Sequence, residues 1–261
     1  MKNRNYILVC LGMLSGVASS YGAVAFSEDF NSYANGNLSG QGPWLATAAA
    51  ATPMQVSSGR VQLGTSGQDE YAAFGSPVSN IDGTSFFYGL TLNVISAQAT
   101  GDYFFHVSNP AGTTSLFYER LFARSSGAGF QLGLLETSGA TTTWGSDVLS
   151  LGTDYRIVVG QNFVAGLVND TFSVYVNPTD LLVEANNTAY LTRTWTSATA
   201  ETATYAAVNL RQGTAANAAA VLVDNILVSK TYSDVAAVPE PATVCLALAG
   251  AAGLLIFRRR R

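Results

Sequence analysis

Residues able to do acid–base or nucleophilic chemistry are few and scattered in this chain. The single histidine, His106, sits near the end of the run Tyr103-Phe104-Phe105-His106-Val107. A serine–histidine–carboxylate relay needs that imidazole beside a nucleophile and an orienting acid, and no G-x-S-x-G elbow accompanies it. His106 therefore reads as a strand residue. Cleavage of a glycosidic bond needs two carboxyl groups facing each other across a cleft. Asp69-Glu70, Glu119 and Glu136 stand apart in the sequence, and each reads as a solvated side chain. The expected set of catalytic residues is empty. Three tryptophans, Trp44, Trp144 and Trp195, lie in stretches rich in Gly, Thr and Ser. Two readings are open for them: packing in the core or under turns, and stacking of an exposed indole against a sugar ring.

The elements that must position these residues are strands. From Phe26 to Tyr232 the apolar pattern repeats every second residue, as in Phe172, Val174 and Val176 or Tyr155, Ile157 and Val159, which is the period of half-buried strands. Further strands are expected at Val56–Leu63, Phe86–Val94, Tyr103–Val107, Leu116–Arg124, Phe130–Glu136, Ala206–Arg211 and Val221–Ser229. Turn dipeptides such as Asp82-Gly83, Asn109-Pro110 and Asn177-Pro178 separate them. No capped amphipathic helix is expected before the C-terminal tail. Ten or so short strands in one stretch read as an all-β fold, a β-sandwich of the jelly-roll kind.

Composition narrows the partners. Charged residues make up 11% of the chain, against about 25% in an average domain, so the surface is built from Ser, Thr, Asn, Gln and Gly. Between Phe26 and Val235 there are 16 acids against 7 bases, a balance of −9. Such a domain repels a phosphate backbone, and nucleic acid is excluded as a partner. Cys10 and Cys245 both fall in apolar end segments. The domain is thus held by its core, with no disulfide, thiol nucleophile or zinc cluster of its own.

The ends read as addresses. Met1-Lys2-Asn3-Arg4, an apolar run from Tyr6 to Ala18 and the small-x-small triplet Ala23-Val24-Ala25 form a secretory signal peptide, residues 1–25, with cleavage expected after Ala25 and Ala18-Ser19-Ser20 as the second choice. At the other end, Val238-Pro239-Glu240-Pro241 precedes the apolar stretch Ala242–Phe257 and the cluster Arg258, Arg259, Arg260 and Arg261. The prolines keep the triplet non-helical. The apolar stretch is a short transmembrane helix, below the roughly 20 residues of a full span, and the arginines mark its cytoplasmic end.

This tail, residues 236–261, resembles the PEP-CTERM sorting signal of exopolysaccharide-producing Gram-negative bacteria, with triplet, apolar helix and arginine cluster in order. The resemblance implies processing near Pro239-Glu240-Pro241 by an exosortase, a membrane cysteine protease. It also implies export, anchoring in the inner membrane before processing, and a final place at the cell surface or outside the cell. The segments Phe26–Tyr33 and Val223–Ile226 resemble the first and last strands of concanavalin-like, laminin-G-like sandwiches. The resemblance places these strands side by side in a domain spanning residues 26–235. On a strict period of two, Glu28 and Asp224 would both point inward among apolar neighbours. Buried carboxylates need a partner, which leaves a structural Ca²⁺, an arginine, or hydrogen-bond donors. Glucanases on this fold carry the spacing Glu-x-Asp-x-x-Glu on one strand, which no segment here matches. The expectation is a non-enzymatic envelope or matrix protein, glycan-binding or structural, with an exopolysaccharide or other glycan as its partner. The alternative is a glycoside hydrolase or lyase on the same jelly roll.

Overall fold

The computed structural model describes residues 24–48 and 52–238. Strands occur at β1 (Phe26–Glu28), β2 (Gly36–Asn37), β3 (Trp44–Ala46), β4 (Gln55–Ser57), β5 (Arg60–Leu63), β6 (Glu70–Ser79), β7 (Ser85–Ser96) and β8 (Asp102–Ser108). They continue with β9 (Phe117–Ser126), β10 (Gly129–Leu135), β11 (Thr143–Trp144), β12 (Asp154–Asn162), β13 (Thr171–Val176), β14 (Leu191–Thr194), β15 (Thr204–Leu210) and β16 (Ala220–Ser229). Two antiparallel sheets result. The nine-stranded sheet runs β14-β13-β12-β7-β16-β5-β4-β2, with β1 also paired to β16. The seven-stranded sheet runs β11-β10-β9-β8-β15-β6-β3. The first and last strands are antiparallel neighbours, Phe26 opposite Val228 and Glu28 opposite Ile226. The fold is a jelly-roll β-sandwich.

The inward residues of both sheets make one core. Val61, Leu90, Leu92, Ile157 and Val174 come from the nine-stranded sheet, and Phe105, Val107, Leu121, Leu132 and Val208 from the seven-stranded one. Burying each such side chain contributes about 1.5–3 kcal/mol, and this core does the work that disulfides do in smaller exported domains.

Three local departures from the sequence expectation have physical causes. Val56–Leu63 is a hairpin rather than one strand, because Ser58 and Gly59 both take positive φ (53° and 72°) and turn β4 back onto β5. Only the Gly hints at this tight turn in the sequence. β6 was not expected; its inward positions Ala72 and Phe74 are joined by small or polar residues that blur the alternation. A short helix, α1 (Tyr232–Ala236), follows β16. It lies on the outer face of the nine-stranded sheet, where Tyr232, Val235 and Ala236 pack on Phe87, Val158, Tyr175 and Leu227. That cover explains why Ile157, Val158 and Val159 are all buried where the alternation predicts only every second one.

Candidate functional site

The outer face of the seven-stranded sheet gathers the aromatic and guanidinium side chains that the core does not use. Two irregularities on adjacent strands create it. In β8 the register shifts on either side of Phe105, and Phe104 and Phe105 both enter the core. Tyr103 and His106 are thereby left together on the outer side, with ring centroids 5.5 Å apart. In β9, Glu119 takes φ +48° and acts as a bulge. Tyr118 and Leu121 point inward, and Phe117 and Arg120 outward. A non-glycine residue in this region costs on the order of 1–3 kcal/mol, and bulges of this kind re-aim side chains. Without these shifts a period of two would send Arg120 and Tyr118 to the same side.

The outward side chains form a continuous band. His106 lies 4.3 Å from the Phe117 ring, Tyr103 5.4 Å from Phe122, and Phe122 6.1 Å from Trp144. Two glycines seat the indole: a Cβ on Gly133 would lie 2.7 Å from the Trp144 ring, and one on Gly101 would lie 2.8 Å from it. Guanidinium groups stack along the band. Arg124 lies 4.3 Å from the Trp144 ring centroid, Arg211 4.1 Å from that of Tyr103, and Arg120 5.2 Å from Tyr103. Such stacking is cation–π attraction. Arg211 is answered by Asp102 at 2.8 Å and Asp69 at 3.8 Å, and Arg124 donates to Gln131 at 2.9 Å. Arg120 makes no hydrogen bond or ion pair to any described residue, and its buried Nε has no partner. Burial holds the Arg120 guanidinium below its ordinary range. His106 is only 2% exposed with both ring nitrogens unpartnered. Burial, followed by the nearby Arg120 and Arg211, holds it well below the ordinary imidazole range, so it is neutral.

The residues proposed from sequence are distributed differently. Trp44 is fully buried and Trp195 is 2% exposed, so neither offers a face to a sugar; both belong to the core, where Trp44 packs on Phe26 and Phe30 and Trp195 on Phe172. Trp144 is half-buried and lies in the band. Glu28 and Asp224 do not converge on a calcium site. Asn225, at φ +50°, bulges β16 between Asp224 and Leu227 and reverses the inward–outward pattern, so Val221 and Val223 face the core before it, and Ile226 and Val228 after it. Asp224 therefore points to the opposite side of the sheet from Glu28, toward Arg60 at 3.8 Å, and burial pushes its carboxyl up to about 6. Glu28 points inward and is met by protein donors: the Phe30 N–H at 2.8 Å, the Trp44 indole N–H at 3.1 Å and the Tyr33 hydroxyl. No group of three or more potential metal-ligating side chains occurs among the described residues.

The acids read as solvated are mostly buried. Glu136 is enclosed in an ion pair with Arg193 and accepts from the Thr196 and Ser197 backbone N–H groups, both at 2.9 Å. Burial raises its carboxyl, but Arg193 and the backbone donors outweigh this and hold it below its ordinary value. Glu70 and Glu119 have no exposed surface and no hydrogen-bond partner. Sequence reasoning missed Arg120 and Arg211, since an arginine on a strand gives no sign of whether an acid meets it. The sorting residues Pro239, Glu240, Pro241 and Arg258–Arg261, the apolar stretch before the arginines, and Ala23 of the expected signal peptide lie outside the described residues. Ala25 is described, and its N–H donates to Val228 O at 2.8 Å. No helix among the described residues is long and apolar enough to cross a membrane.

Comparison with known proteins bears on the tail and the fold separately. Residues 237–261 match the family model of the PEP-CTERM protein-sorting motif. A sequence comparison with curated proteins finds no match. Among solved structures, the globular domain of T. cruzi calreticulin superposes with a TM-score of 0.52 at 9% identity, over 91% of this chain and 100% of that one. The CBM2 module of the evolved Dit of Lactobacillus casei BL23 phage J-1 gives 0.50 at 12% identity, over 79% and 95%. The carbohydrate recognition domain of Emp47p gives 0.49 at 13% identity, over 83% and 100%. At such identities the first two establish the fold and nothing further. The motif implies export, a C-terminal membrane anchor and processing by an exosortase. The chain is therefore a jelly-roll β-sandwich that carries a PEP-CTERM sorting motif at residues 237–261.

Proposed function

We propose that this is a non-catalytic envelope or extracellular-matrix protein that binds glycan on the outer face of its seven-stranded sheet after exosortase releases it from the inner membrane. The observation that carries the reading is the band Tyr103, Phe122 and Trp144, half-buried and contiguous, with Arg120, Arg124 and Arg211 beside it. Ring faces held rigidly by glycines and guanidinium stacks give a sugar its apolar C–H contacts at little entropic cost, and the arginines supply donors to its oxygens. The acids on this face, Asp69 and Asp102, are both engaged by Arg211, which suits a binding role better than acid–base work.

The test is a glycan array and a polysaccharide-hydrolysis screen on the full-length protein in detergent. Binding without turnover is expected, with Trp144→Ala and Phe122→Ala each weakening it at least tenfold while the melting temperature stays within a few degrees. Turnover of any glycan, or binding that ignores both substitutions, would falsify the reading.

A further inference from the structure

We propose that Arg120 is an anion-binding residue for the carboxylate of an acidic sugar, and that the face takes glycans in which uronate residues are separated by neutral ones. The proposal rests on the glycan reading above and names the ligand class for that face.

The domain between Phe26 and Val235 has 16 acids for 7 bases, yet Arg120 is left without one. Arg60, Arg193 and Arg211 all form ion pairs, and Arg156 is bound by the backbone carbonyls of Val235 and Asn225. Arg120 is held only by the Tyr103 and Phe117 rings, at 5.2 and 6.0 Å. Its Nε is buried without a partner, and neither Nη donates to a described residue. A guanidinium fixed by stacking, with its donor fork free, is prepared for bidentate pairing with a planar carboxylate.

The second observation is His106, packed against the same Phe117 ring at 4.3 Å and 98% buried, with both nitrogens unpartnered. An unmet buried polar group is costly. Both nitrogens are enclosed beneath the Phe117 and Tyr103 rings on which Arg120 lies, so the imidazole backs this floor and the Arg120 fork is the polar group left to meet a ligand.

Charge then selects the pattern of the chain. Arg211 is already balanced by Asp102 and Asp69, and Arg124 is met only by the neutral Gln131, so the band offers two positive charges without an acid, Arg120 at its Tyr103 end and Arg124 at its Trp144 end, within a strongly acidic domain. A dense polyanion meets long-range repulsion, whereas isolated carboxylates spaced by neutral sugars meet the guanidinium with little of it.

The experiment is calorimetric titration of the full-length protein in detergent with a hyaluronan octasaccharide, in which glucuronate alternates with a neutral sugar, and with the same oligosaccharide after carboxyl reduction. The acidic form is expected to bind at least tenfold tighter. Arg120→Gln should remove that difference while leaving affinity for the reduced form unchanged. Arg120→Lys, which keeps the charge but not the fork, should retain part of it. Equal affinity of the wild-type protein for the two forms, with Trp144→Ala weakening both, overturns this inference and leaves the glycan reading standing. Binding of neither form, together with an empty array, overturns both. Tighter binding of dextran sulfate than of hyaluronan overturns the spaced-carboxylate pattern. The comparison of the two ligands on wild-type protein needs no variant to fold.

Discussion

Glu70, the first residue of β6, has no exposed surface and no donor at either oxygen. Burial pushes its carboxyl up from 4.5 to about 7. The folded chain therefore keeps a proton that the unfolded chain releases as pH rises past the ordinary carboxylate value. Stability from this group is fully present below about 4.5 and is lost as pH climbs through about 7, on the order of 3 kcal/mol at most. Asp224, pushed up to about 6, adds a loss of the same sign. Glu136 and Asp154 are both held below their ordinary values, Asp154 by its hydrogen bond from Arg60. They act with opposite sign, and only in more acid solution. Glu119, which burial raises well above its ordinary value, adds to the loss from Glu70. The denaturation midpoint is expected to fall between pH 5 and pH 8, and Glu70→Gln should flatten part of that fall. An unchanged slope in the variant would place the proton elsewhere. Glu70 reads as a surface acid in the sequence because it stands next to Asp69, whose carboxylate faces Arg211 at 3.8 Å. Only the sheet shows that adjacent acids on a strand point to opposite sides.

At the scale of elements, α1 has five residues, far fewer than a helix needs to persist alone. Arg156 holds it in place: Nε and Nη2 both donate to Val235 O, at 3.1 and 2.5 Å, and Nη1 donates to Asn225 O at 2.7 Å. Gly89 leaves room for this clamp, since a Cβ there would lie 2.5 Å from the same Val235 oxygen. Arg156 thus joins the β16 bulge to α1. Arg156→Met keeps most of the apolar bulk but leaves both carbonyls without a charged donor, and such losses cost about 1–3 kcal/mol each. The expected result is a destabilisation of about 2 kcal/mol, with hydrogen-exchange protection lost first across residues 232–236. If protection there is retained, the apolar contacts of Tyr232 and Val235 suffice without the clamp.

At the scale of the whole molecule, the sandwich and the tail have separable tasks. The signal peptide expected at residues 1–25 has all its features without the tail, so export should not depend on the tail; processing should. Glu240→Ala, or removal of Arg258–Arg261, is expected to block processing without blocking export in a host that makes an exosortase. Mature mass and cell fractionation read the outcome directly. Without the triplet the apolar stretch should stay in the membrane and the sandwich should remain cell-bound. A Glu240 variant processed like wild type would reduce the tail to an ordinary anchor.

The sequence by itself determined what depends on local pattern. The sorting motif is a contiguous string of prolines, apolar residues and arginines, legible without any fold. The sandwich follows from a period of two repeated over many short runs, and the pairing of β1 with β16 followed from the strands that Phe26–Tyr33 and Val223–Ile226 resemble. The tertiary structure decided everything that depends on which way a side chain points after a bulge. Asn225 in β16, Glu119 in β9 and the paired phenylalanines of β8 each shift the alternation by one residue, and a one-residue shift sends every later side chain to the other face. That is why Asp224 and Glu28 part company, and why Arg120 and His106 meet outside the core. Trp44 and Trp195 were equally undecidable from their neighbours. A tryptophan among glycines and threonines suits a core edge as well as a sugar platform, and only the packing of Phe26, Phe30 and Phe172 around them settles that they are buried.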